Sequence, residues 1–304
     1  MDINEFIRKI ESEKPSNITK VFFSRKNTAG NKYITHQPSV SNDVQYSILD
    51  TILPYVKNQL KNNIVPYNPI GTVDGNIEKI GIADIDGLQK FKDSLSDDNL
   101  NTDMSIIKID KIGFYCIRIQ IDEDVMFVFR QFQKLVKLRK GLLTRLIDNE
   151  LNTTESDFLG IDEFTDIIVY SEDMYILNHI GLERIFNYKD VFLNKTNAAL
   201  TEIENKNVIL NFDQFTDDCR KDVRIMKRFT SIMANGRLPL FFENYDKVPG
   251  IVEELGLDIE FDEENKLIYR EKSQLFHIIN LLSDAYFKSL LAQRPGVAMI
   301  EGEI

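Results

Sequence analysis

The sequence predicts an α+β protein, and three observations carry that prediction. Period-two alternation is concentrated in the middle of the chain, where GFYCIRIQI and VMFVFRQF flank the turn Asp122–Asp124. From His179 onward apolar residues recur at helical spacing instead. Ahead of both lies a stretch mixing short helical and strand patterns. The expected order is a small N-terminal α+β module (1–103), then a domain over 104–304 with a β-rich middle and a mostly helical C-terminal half.

The elements follow from local pattern. Ile3, Phe6, Ile7 and Ile10 fall on one side of a helix that Pro15 stops. Val21, Phe22 and Phe23 mark a strand over 18–25, and a polar turn leads to a second strand near 32–35. Ser41, Asn42 or Asp43 can cap a helix running to about Asn62, with Pro54 inside it as a kink or split point. Residues 65–75 hold two prolines and two glycines and read as loop. Residues 77–82 form a short strand and 84–95 a helix. The polar run Ser96–Asp103 is the expected domain boundary. Strands follow over 112–121 and 125–132, with the pattern extending through Leu135, Val136 and Leu138 and resuming over 142–147. Residues 166–170 and 174–177 make a hairpin around Ser171, Glu172 and Asp173. Then come helices over 181–186 and 188–203, and one or two over 212–234 ended by Asn235-Gly236. A helix over 248–255, a hairpin over 259–268 and closing helices over about 273–291 complete the chain.

The 304 residues include 48 acids and 37 bases, for a formal charge of −11. With 20 Phe and 11 Tyr the chain is too apolar and aromatic for disorder. It has no apolar run near the roughly 18 residues of a membrane span. Two cysteines, Cys116 and Cys219, and three scattered histidines supply neither a disulfide framework nor a His-rich metal centre. No secretory h-region opens the chain, so a cytoplasmic protein with reduced thiols is expected.

The net charge hides an uneven distribution. No acid occurs between Asp124 and Asp148, an interval holding Arg130, Lys134, Lys137, Arg139, Lys140 and Arg145. Residues 219–237 hold Arg220, Lys221, Arg224, Lys227, Arg228 and Arg237 against the single acid Asp222. An unbroken helix over 219–234 would set Arg220, Arg224 and Arg228 at i, i+4 and i+8, flanked by Lys221 and Lys227. Val223, Met226 and Phe229 would then face a core. A basic stripe with an apolar back presents cations to a phosphate backbone. The plainer reading is a surface helix whose arginines pair with surplus carboxylates. Phe127, Phe129 and Phe132 beside Arg130 and Lys134 invite a base-stacking reading, but core residues of a sheet explain them better.

Catalytic signatures are sparse. There is no P-loop, GxSxG, HExxH or kinase motif. Asp84-Ile85-Asp86-Gly87 begins like a calcium loop and lacks its later ligands. Two Glu-x-Lys triplets, Glu204–Lys206 and Glu264–Lys266, admit a metal-dependent nuclease; the second has Asp258, Glu260 and Asp262 nearby. A charged hairpin turn accounts for it more simply. No cofactor is expected.

From about Ile112 the chain resembles the KwaB-like family, the soluble component of the two-gene Kiwa antiphage defence system of bacteria. DIIVYSEDMYILNHIGLERIFNY (Asp166–Tyr188), RIMKRFTSIMANG (Arg224–Gly236), LDIEFDEENKLIYR (Leu257–Arg270) and LLSDAYFKSLL (Leu281–Leu291) carry the resemblance. In order, they read as a hairpin running into a short helix, a basic helix, a second hairpin and a final helix. Residues 1 to about 100 carry no such resemblance. It implies DNA binding and a membrane-protein partner encoded alongside, which would recruit the chain to the inner face of the cytoplasmic membrane. It brings no catalytic motif.

The expected mechanism is sequence-independent phosphate contact by Arg220, Lys221, Arg224, Lys227 and Arg228. Lys134, Lys137, Arg139, Lys140 and Arg145 would extend the surface, and a homodimer would double the footprint. The alternatives are the metal-dependent nuclease and a non-catalytic module that binds a basic partner protein.

Overall fold

The computed structural model describes residues 1–13, 19–27, 32–71, 75–96, 98–107, 109–132, 144–147, 150–153 and 160–298. It divides into two compact units, one of Met1–Tyr67 with Asp74–Asn187 and one of Asn68–Val73 with Tyr188–Ile304.

The first unit holds α1 (Ile3–Glu13), β1 (Thr19–Asn27), β2 (Lys32–His36), α2 (Asn42–Gln59), β3 (Asn63–Pro66), β4 (Asn76–Gly81) and α3 (Asp86–Asp93). It continues with β5 (Phe114–Ile121), β6 (Asp124–Gln131), β7 (Thr144–Ile147), β8 (Glu150–Thr153), β9 (Ile167–Tyr170), β10 (Asp173–Ile176) and α4 (His179–Phe186). Eight strands form one sheet in the order β2-β1-β5-β6-β9-β10-β4-β3. Its pairs are antiparallel except β3 with β4.

Alternation along β5 sorts its side chains between two buried faces. Tyr115, Ile117 and Ile119 join Phe6, Ile10, Ile52 and Val56 of α1 and α2 in one core. On the opposite side Phe114 and Phe129 meet Phe91 of α3, and Phe129 also meets Phe186 of α4, at ring-centre distances of 5.1–6.2 Å. Phe129 is a core residue, and Phe132 lies edge-on to Phe23. The sheet therefore uses these rings internally. Pro54 sits inside α2 without ending it.

The boundary expected at 96–103 is corrected by this sheet. β1, from before it, pairs along six positions with β5, from after it, from Thr19↔Ile119 to Ser24↔Phe114. Asn101, within the polar run, instead lies along the edge strand β2. Asn101 bridges His36, and its backbone exchanges hydrogen bonds with Thr35 and Gln37. The chain divides after Asn187, not near 103.

One carboxylate organises the β6–β9 region. Asp166 is 1% exposed and accepts from Arg130 Nη1 at 2.9 Å, Gln131 N at 2.7 Å and Asn178 Nδ2 at 2.8 Å. Gly181, one turn into α4, packs so closely on Asp166 that a Cβ would lie 2.5 Å from that side chain. Gly87 has a parallel reason: a Cβ there would meet the Phe186 carbonyl oxygen at 2.3 Å. The glycine of the calcium-like tetrad thus serves helix packing, and Asp86 pairs with Lys90.

The second unit is mostly helical: α5 (Tyr188–Lys206), β11 (Ile209–Leu210), α6 (Phe212–Lys221), α7 (Val223–Ala234), α8 (Arg237–Glu243), α9 (Val248–Leu255), β12 (Glu260–Phe261), β13 (Leu267–Ile268), α10 (Leu275–Leu282), β14 (Tyr286–Lys288) and β15 (Pro295–Val297). Phe215, Cys219, Ile225, Phe229, Tyr269 and Ile278 belong to its core. The closing helix expected to reach Leu291 ends at Leu282. Asp284 takes a left-handed backbone (φ 54°), and the chain turns into the β14–β15 hairpin. No helix among the described residues is long and apolar enough to cross a membrane.

Candidate nucleic-acid interface

The basic run 219–234 is two helices, not one. Asp222 is extended (φ −112°, ψ 111°) and caps α7 by accepting from Arg224 N at 3.0 Å. A short acid in this position satisfies one of the unpaired N–H groups at a helix start. The break takes Arg220 out of phase with Arg224 and Arg228, so the expected three-arginine stripe is shortened. Arg220, in the last turn of α6, donates to Asn197 of α5 at 2.9 Å. Lys221 lies 3.9 and 4.0 Å from Asp217 and Asp218.

α7 keeps the remainder of the pattern. Ile225, Met226, Phe229 and Ile232 are buried, while Arg224, Lys227 and Arg228 lie on the outer side, and its 12 residues contain no acid. Arg224 donates Nη2 and Nε to Asp222 at 2.8 and 3.2 Å. That hydrogen bond holds the Asp222 carboxyl below its ordinary range. Arg224 and Arg228 place their guanidinium carbons 5.3 and 5.8 Å from the Phe276 ring. Lys227 stands 5.5 Å from the Phe192 ring. Cations over ring faces are attracted to the negative π-cloud. Arg228 also donates to Asn280, one turn beyond Phe276 on α10.

Asn280 belongs to a polar group that sequence reasoning missed. His277 Nδ1 lies 2.8 Å from the Tyr286 hydroxyl. Burial raises the Tyr286 pKa, while Asn280 and Arg228 oppose the rise. The available signal was the i, i+4 spacing of Phe276 and Asn280, which aims both at the neighbouring basic helix.

The first basic stretch falls in the other unit. Arg130 has a side chain only 12% exposed, held by Asp162 at 3.2 Å and Asp166 at 2.9 Å and lying 5.4 Å from the Phe164 ring. It is a structural cation. Lys134, Lys137, Arg139 and Lys140 lie outside the described residues. Arg145 lies in β7, its backbone opposite Asn152 of β8.

The carboxylates around Glu264 are otherwise engaged. Asp262 accepts from the backbones of Glu264 and Lys266 at 2.9 and 2.8 Å, which builds the hairpin turn. Lys266 pairs with Glu264 at 2.8 Å, and Arg270 pairs with Glu260. Lys206 of the first triplet lies over the Phe242 ring. Among the described residues no group of three or more His, Cys, Asp or Glu side chains could hold a metal ion.

A family model described as Kiwa protein KwaB-like matches residues 109–292, more than half of the chain. No curated protein and no solved structure matches.

Proposed function

The chain belongs to the Kiwa protein KwaB-like family, and from that membership we propose that it binds DNA through phosphate contacts made by α7. It is a component of the Kiwa antiphage defence system. The observation that carries the DNA reading is the outer side of α7, with three cations and no acid. The Arg224 side chain is 73% exposed, while that of its partner Asp222 is 11% exposed. The guanidinium keeps its outer edge in solvent, where an incoming phosphate can accept a charge-assisted hydrogen bond beside the Asp222 pair. Arg228, held by Asn280 and Phe276, is pre-ordered for the same task. Contacts of this kind position a duplex without reading its sequence.

Arg220 and Lys221 border this surface from the end of α6. The protein acts as a pair of identical copies, with a membrane-protein partner bringing it to the inner face of the cytoplasmic membrane. The test is fluorescence anisotropy with a labelled duplex at low salt. Arg224→Glu with Lys227→Glu should abolish binding without changing the circular dichroism spectrum. Unchanged affinity in that variant removes α7 from the interface.

A further inference from the structure

The β14–β15 hairpin ends in a tip that its own hydrogen bonds hold in shape. Ser289 N donates to Arg294 O and Gln293 N to Ser289 O, both at 2.9 Å. Arg294 N donates to Ser289 Oγ and Gln293 Nε2 to Leu290 O, both at 3.1 Å. The braced tip holds Leu290 at 91% and Leu291 at 100% exposure. Phe287 and Val297, on the two strands below it, are exposed as well. Phe287 lies over Gly296 of the opposite strand, where a Cβ would come within 2.6 Å of its ring. Single exposed apolar residues are ordinary on protein surfaces. Here four share one hairpin, and two of them are adjacent at its convex end.

The charge around the tip is one-sided. The chain as a whole carries −11, yet no acid occurs between Asp284 and Glu301, an interval holding Lys288 and Arg294. Two acids near the foot of the hairpin are answered by cations: Glu254 pairs with Lys288, and Asp284 lies 3.8 Å from Arg237. Arg294, beside the leucines, is exposed.

We infer that this tip is a contact site for an anionic lipid surface, with Leu290 and Leu291 entering the interfacial layer and Arg294 meeting the headgroup phosphates. A convex apolar tip needs a matching hollow on a protein partner, whereas acyl chains close around apolar side chains of any shape. An anionic surface repels the acidic bulk of the chain, so an apolar point that bears cations leads the approach. The tip differs from α7 in adding exposed apolar side chains to its charge. Two leucines and a cation give weak, reversible attachment, strengthened by anionic lipid and weakened by salt. The contact is with lipid itself and needs neither the partner protein nor the DNA surface proposed above.

Flotation of the full chain with vesicles through a density gradient tests it. The wild type should float with vesicles of phosphatidylcholine and phosphatidylglycerol in equal parts at low salt, and far less with phosphatidylcholine alone. Leu290→Ser with Leu291→Ser should weaken partitioning at least roughly tenfold, with an unchanged circular dichroism spectrum and unchanged duplex binding. Arg294→Gln should weaken it about fivefold. Arg224→Glu with Lys227→Glu should float like the wild type, which separates this contact from the DNA reading. The chain contains no tryptophan, so Leu291→Trp supplies a single reporter at the tip, and its emission should shift to the blue when the mixed vesicles are added.

A wild type that stays unbound with the mixed vesicles overturns the inference, and so does a double-serine variant that floats equally well. Equal flotation with neutral vesicles overturns the role given to Arg294. Leucines whose loss leaves flotation unchanged but dissociates a dimer in sedimentation would assign the tip to a second copy and overturn it too.

Discussion

Replacing Asp166 by alanine tests whether the β6–β9 region depends on one carboxylate. The change removes three hydrogen bonds of 2.7–2.9 Å from an almost fully buried side chain. It leaves Gln131 N–H without its acceptor and Arg130 with Asp162 alone, whose side chain is 41% exposed. Breaking a buried ion pair costs about 3–5 kcal/mol. The surviving Asp162 contact puts the expected loss near the lower end, about 3 kcal/mol. With a urea slope near 3 kcal/mol/M, the unfolding midpoint of the first unit should fall by about 1 M at constant slope. Asp166→Asn keeps an acceptor and should lose roughly half as much. A midpoint shift below about 0.3 M for the alanine variant would refute the view that Arg130 is a structural cation.

Three further outcomes follow from local geometry. Gly87→Ala drives a Cβ into the Phe186 carbonyl and should cost about 1–3 kcal/mol, read by the same unfolding assay. Asp222→Ala removes the cap of α7 and should cost about 1 kcal/mol, while freeing Arg224 and raising DNA affinity. Because the folded-state pKa of Asp222 lies below its ordinary 3.8, the cap's contribution is complete above that value. It is lost as pH falls through the lowered one, so wild type and alanine variant should converge in stability in acid. Burial pushes both thiols, Cys116 and Cys219, up in pKa, so neither should react with a thiol reagent until the protein unfolds.

Much of the sheet was legible because its signal is local. Alternation over 112–132 and the turn at Ser171 mark β5, β6, β9 and β10 to within a residue or two. What failed depended on distant partners or on a single backbone angle. Ser96–Asp103 has the composition of a linker, yet the pairing of β1 with β5 runs across it. Arg130 reads as one cation of a basic run, but its partners arrive 32 and 36 residues later. The residues 281–291 have helical spacing, and the positive φ of Asp284 turns them into a hairpin. At Asp222 the cap was visible as a residue type, but i, i+4 arithmetic ran straight through it.

The most direct test of the account is the salt dependence of duplex binding by the full chain. Three phosphate contacts by Arg224, Lys227 and Arg228 should give a slope of log K on log salt of about −2.7 or steeper. Neutralising Arg224 and Lys227 to glutamine should flatten it by about 1.8. A duplex that is not retained even at low salt, or a slope the double variant leaves unchanged, would contradict the assignment of α7 as the DNA-binding surface.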